Sequence, residues 1–145
     1  MKVLVQRCDK ASVTVNNKIV GKINHGIMIL VGFTQTDTEK NIDYMVDKVI
    51  NLRIFDDDKG VMNKSLLDVG GSILSISQFT LYADASKGRR PSYVNALSGD
   101  KATLLYDDFN QKLKSKNIHV ETGIFGAEMT VELINDGPIT IMLEK

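Results

Sequence analysis

At 145 residues the chain is long enough to bury a core without staples, and it reads as one domain spanning residues 1–145. Eighteen basic residues balance eighteen acidic ones, and zero net charge argues against wrapping long nucleic acid, so no DNA partner is expected. No run of eighteen apolar residues exists to cross a membrane. Met1 to Arg7 turns polar too early for a signal peptide, and the single Cys8 suits a reducing compartment; a cytoplasmic location is expected.

In chain order, the alternation from Lys2 to Val15 predicts extended structure, as two strands or one long bent one. Asn16-Asn17 predicts a hairpin turn, because asparagine tolerates positive φ. Lys18 to Lys22 is then the return strand. Ile27 to Phe33 is continuously apolar, the mark of a central strand buried on both faces. Thr36-Asp37-Thr38-Glu39 spells a capping box. It introduces a helix whose apolar stripe is Ile42, Met45, Val46, Val49 and Ile50, ending near Leu52.

A turn follows at Asp57-Asp58-Lys59-Gly60. The segment Ser75–Tyr82, SISQFTLY, predicts a strand that places Gln78 and Thr80 about 6.6 Å apart on one face. Asp84 to Ser98 is a loop. A second helix runs from Ser98 or Asp100 to about Lys116, with Ala102, Leu105, Phe109 and Leu113 on its buried face. Ile118–Thr122, Glu128–Ile134 and Ile139–Glu144 are read as strands, with Asn135-Asp136-Gly137-Pro138 as a tight hairpin turn and a trans Gly–Pro bond on composition alone. The order predicts an α+β fold: a mostly antiparallel sheet or barrel with two helices packed on it.

The chemistry-bearing residues are sparse. The Asp56–Gly60 run lacks the glycine and glutamate spacing of a calcium loop, which leaves a solvated turn and no metal site. Cys8 has no histidine neighbour to activate it, so a half-buried strand residue is the simpler reading. No carboxylate pair and no nucleophile motif stands out. Catalysis here would have to run without ionisable side chains. Lys87, Arg89 and Arg90 form the one concentrated basic segment: either a solvated loop or a grip for phosphates.

Three ordered motifs carry a resemblance. SQFTLYA at Ser77–Ala83, KGRRPS at Lys87–Ser92 and G-x-F-G-A-x-M-x-V-x-L-x-N-D-G-P at Gly123–Pro138 resemble bacterial D-aminoacyl-tRNA deacylases, also called D-tyrosyl-tRNA deacylases. Met1-Lys2-Val3-Leu4-Val5-Gln6-Arg7 and Val31-Gly32-Phe33 fit too, and the similarity covers essentially the whole chain. Tyr93 stands where phenylalanine is expected and Ile139 where valine is common. The resemblance implies hydrolysis of the ester between a D-amino acid and the tRNA 3′ end, and removal of glycine from mischarged tRNA-Ala. It also implies a homodimer with its active sites at the subunit interface, and no cofactor.

By the same resemblance Ser77, Gln78, Phe79 and Thr80 line the pocket around the scissile ester as its catalytic set. Phe125 packs against the terminal adenosine, with Met129 also in the substrate site. Gly137-Pro138, in the cis form, is inserted from the other subunit to screen the α-carbon. Neutral donors on a rigid backbone suit an ester carbonyl that gathers charge during attack by water. Two other readings stay open: a non-catalytic module for nucleotides or single-stranded RNA ends, and a hydrolase or editing domain of different substrate choice.

Overall fold

The computed structural model describes all residues, 1–145. Its elements, in order, are β1 (Lys2–Val15), β2 (Lys18–Ile23), β3 (Gly26–Gly32), α1 (Glu39–Asn51), β4 (Phe55–Asp56), β5 (Met62–Lys64), β6 (Ser72–Ser77), a single 3₁₀ turn (Phe79–Tyr82), α2 (Gly99–Lys114), β7 (Val120–Thr122) and β8 (Thr130–Glu144). Six strands form one sheet in the order β2-β1-β3-β6-β7, with β8 along the other edge of β1. β4 and β5 make a separate small ribbon.

The sheet is mixed rather than mostly antiparallel. β1 pairs antiparallel with β2, β3 and β8, whereas β3–β6 and β6–β7 are parallel. The reason lies in the connections. α1 lies between β3 and β6 and α2 between β6 and β7, and a strand–helix–strand crossover returns the chain in the same direction.

Two apolar clusters explain why the sheet curls. β3 alternates: Ile27, Ile29 and Val31 face the larger cluster, which α1 and α2 cover with Met45, Val49, Phe109 and Leu113. Met28 points the other way, to a smaller cluster built by Cys8, Ala11, Val13, Ile23, Leu74 and Ile76. Residues of β1, β2, β3 and β6 meet there, with Val131 and Leu133 of β8 packed against them, so the sheet bends nearly closed around it. β1 serves both clusters by changing sides. Val3 and Val5 belong to the helix-covered cluster and Ala11 and Val13 to the inner one. The switch falls where the β1–β8 pairing is irregular, around Cys8.

Local predictions meet several corrections. Lys2–Val15 is one long strand, and Asn16 and Asn17 turn with φ of 48° and 61°. The helix cap sits two residues after the predicted box. Thr38 is the N-cap, and Asn41 Oδ1 accepts from its N–H at 3.0 Å and from its hydroxyl at 2.8 Å. Asp37 is drawn inward instead, accepting from the Met1 amine at 2.6 Å and the Thr34 N–H at 2.8 Å. In α2 the buried face includes Tyr106 and Asn110, while Leu105 is only half-buried.

Asn135–Pro138 is not a hairpin turn. The residues on both sides of it pair with the same strand, Leu143 to Thr140 with Val3 to Gln6 and Ile134 to Thr130 with Lys10 to Thr14. The two expected strands are therefore one, β8, and the segment bulges out of it. Here the Gly137–Pro138 peptide is cis. No helix is long and apolar enough to cross a membrane.

Candidate active site

A cavity of about 310 Å³ opens where the parallel strands β3 and β6 end. Val31, Gly32 and Phe33 form one wall, and Ser77, Gln78 and Phe79 the next. Phe125 and Met129 lie opposite, on the segment that leads into β8. None of the residues lining it carries an ionisable side chain.

SISQFTLY does not stay a strand. The ladder with β3 ends at Ser77, opposite Val31, and the Gln78 N–H makes one more bond to the Val31 carbonyl at 2.7 Å. Past Gly32 the neighbouring strand offers no further partner, and the chain folds into the 3₁₀ turn Phe79–Tyr82. Gly32 makes this close packing possible. A Cβ there would lie 2.9 Å from the Gln78 carbonyl oxygen, nearer than real Cβ contacts come.

The strand argument for pairing Gln78 with Thr80 therefore fails, yet the two side chains meet. The Gln78 amide donates to the Thr80 hydroxyl at 2.5 Å. Thr80 itself is not part of the cavity's lining. The turn also leaves two amides free, because the first N–H groups of a 3₁₀ helix have no carbonyl behind them. Those of Phe79 and Thr80 donate to no group in the chain.

Tyr106, unremarked in the sequence, braces both walls. Its hydroxyl donates to the Ser75 carbonyl at 2.7 Å, and its ring lies 5.7 Å from that of Phe125. Burial holds its phenol above the usual tyrosine range, so it stays a neutral donor. Its place on the apolar face of α2 was the only sequence signal, and tyrosine on such a face is most often core.

Gly137 and Pro138 are exposed and lie outside the cavity of their own chain. Buried Arg7 holds the bulge that presents them: its Nε lies 2.7 Å from Asp136 Oδ2, and its Nη1 donates to the Ile54 carbonyl at 2.7 Å. The Asn135 amide ties the same bulge down, donating to the Arg7 carbonyl at 2.9 Å and the Ile139 carbonyl at 3.0 Å. Lys87, Arg89 and Arg90 sit on an exposed loop closed by Asp84 and Ser92, whose backbones exchange two hydrogen bonds of 2.8 Å. None of the three cations has a carboxylate partner within 4.0 Å.

The family model described as D-Tyr-tRNA(Tyr) deacylase matches residues 4–144. The chain belongs to that family. It is 56% identical to the D-aminoacyl-tRNA deacylase of Bacillus velezensis over 144 residues, covering 99% of this chain and 98% of that one. The protein of the same name from Listeria monocytogenes is 57% identical over 144 residues, 99% of this chain and 95% of the relative.

Among solved structures, one named as the c-Myc DNA Unwinding Element Binding Protein superimposes with a TM-score of 0.94 at 40% identity, over 100% of this chain and 99% of that one. A probable eukaryotic D-amino acid tRNA deacylase matches with a TM-score of 0.85 at 21% identity, over 98% and 97% of the two chains. That second likeness shows the shared fold of deacylase-family proteins. Within this frame the cavity at the ends of β3 and β6 is the candidate active site.

Proposed function

We propose that this single deacylase domain hydrolyses the ester of D-aminoacyl-tRNA, releasing the free D-amino acid and the tRNA. It thereby proofreads chirality before translation, and we place it in the cytoplasm. The observation that carries the reading is a cavity with the free Phe79 amide at its edge and no ionisable side chain on its lining. Such a site cannot generate a nucleophile of its own. It can stabilise the oxyanion that forms when water adds to an ester carbonyl.

In this mechanism the water oxygen bonds to the carbonyl carbon, and the N–H of Phe79, with the Gln78 amide held by Thr80, receives the developing negative charge. The terminal ribose of the tRNA carries a neighbouring hydroxyl that orients the water. Collapse breaks the bond to the 3′ oxygen, which leaves with the proton from water. Ser77 shapes the floor, and Phe125 and Met129 hold the terminal adenosine. Lys87, Arg89 and Arg90 take tRNA phosphates. Neither a metal nor a cofactor enters any step.

Selection against L substrates needs a rigid body where an L side chain would project. Gly137-Pro138 of a second copy fills that role in a symmetric homodimer, and glycine, with no side chain to reject, passes as a substrate. Two features support this: the bulge is tied down by Asn135 and Arg7 yet is exposed outside its own cavity, and the outer edge of β8 has no strand partner. Deacylation of radiolabelled D-tyrosyl-tRNA tests the function. Release above the uncatalysed rate is expected. Tight tRNA binding without release would favour a non-catalytic RNA-end module.

A further inference from the structure

Phe79 does more than wall the cavity. The residue is 52% exposed, and its ring packs edge-on against that of Tyr93, a residue 42% exposed, with 5.1 Å between centroids and 67° between planes. Two large aromatic rings kept together in water at the mouth of a site are an unfilled binding surface rather than core. Their mounting is rigid. The Tyr93–Leu97 segment is pinned to the end of β3 by Leu97 N–H to the Phe33 carbonyl at 2.8 Å, and by Thr34 Oγ1 to the Asn95 carbonyl at 2.7 Å. Gln35 Nε2 adds a bond to the Val94 carbonyl at 3.4 Å. Arg89 and Arg90 precede Tyr93 by four and three residues on the same exposed loop and lack carboxylate partners, so they supply positive charge near the surface that an RNA strand would satisfy.

We propose that the Phe79–Tyr93 pair is a stacking platform for the second nucleotide from the RNA 3′ end, with Arg89 and Arg90 on the phosphate that joins it to the terminal one. This rests on the deacylase reading and extends it from one nucleotide to two. The order of contacts follows from Phe79, which belongs both to the cavity wall and to the outer pair: a base adjoining the one in the cavity arrives on its exposed face. Aromatic stacking tolerates any base and is worth roughly a tenfold gain in binding, often more.

The test compares turnover of two esters, D-tyrosyl-adenosine and D-tyrosyl-cytidylyl-adenosine. Wild-type kcat/KM should be about tenfold or more higher for the dinucleotide ester. Tyr93→Ala should pull that ratio towards one, and Tyr93→Phe should keep it. Equal kcat/KM in the wild type, or an unchanged ratio in Tyr93→Ala, overturns the platform. So does sedimentation showing that Tyr93→Ala alone breaks a dimer, since the ring would then be an interface residue. Titration of unesterified cytidylyl-adenosine and adenosine, followed by the Tyr93 ring resonances, needs no hydrolysis. Shifts with the dinucleotide and not the nucleoside support stacking even if neither ester is cleaved, an outcome that would count against the deacylase reading alone. Absence of shifts with both overturns the platform.

Discussion

At the scale of single residues, Thr80 makes a supporting bond rather than an attack on the ester. Its hydroxyl accepts from Gln78 and faces no base that could deprotonate it. Thr80→Ala should therefore keep substantial activity, losing at most about 10²–10³-fold in kcat, and Gln78→Ala should be no milder. A trapped aminoacyl ester on Thr80, visible by mass spectrometry, would reverse the assignment. Cys8 makes a second prediction. Burial pushes its thiol up to about 11, so neutral thiol reagents should fail to label it in the folded protein. The unfolded chain loses that proton near pH 8.5, so between there and about 11 unfolding is favoured progressively, by roughly 2–3 kcal/mol in all. A urea-stability profile should fall over this window, and Cys8→Ala should flatten the fall. Residue type placed Cys8 on a strand but only half-buried, whereas the two-sided packing of β1 buries it fully; the cavity-side partner of Thr80 was anticipated for a reason that did not hold, since the strand ends at Ser77.

At the scale of elements, the long β8 and its bulge depend on Arg7. Replacing it with Met keeps the bulk but leaves Asp136 and the Ile54 carbonyl without their partner, which should cost about 1–3 kcal/mol in denaturant unfolding. Activity should fall further than stability explains, because the bulge presents Gly137-Pro138. An Arg7→Met variant with wild-type activity and stability would remove the bulge from the account. The basic loop makes a different kind of claim. Neutralising Lys87, Arg89 or Arg90 should weaken all tRNAs alike and lower the salt dependence of binding by roughly 0.7–0.9 per phosphate contact. An unchanged slope in the triple Ala variant would return the loop to a merely solvated one. Apolar patterning showed α1 and β3 in advance and asparagine's tolerance of positive φ the Asn16-Asn17 hairpin, since each is decided by residues within a few positions. It could not show that Glu128–Ile134 and Ile139–Glu144 are one strand. Their shared partner is β1, more than a hundred residues away, and turn-forming residues inside a bulge look the same as those in a hairpin.

At the scale of the molecule, the mixed sheet was hidden by the same kind of distance. The order strand, helix, strand was visible, but only the observed β3–β6 and β6–β7 pairs reveal that both helices are parallel crossovers. That arrangement brings the ends of β3 and β6 together and leaves the cavity between them and the Phe125 segment, whereas Gly137-Pro138 faces outward. On the proposed reading this neutral cavity hydrolyses its ester and a rigid backbone from a second copy selects its hand. The most direct measurement is the deacylation rate of D-tyrosyl-tRNA beside L-tyrosyl-tRNA under identical conditions. D-ester hydrolysis well above the uncatalysed rate is expected, with the L-ester left near it. Equal rates for the two, or none above background for either, would contradict it.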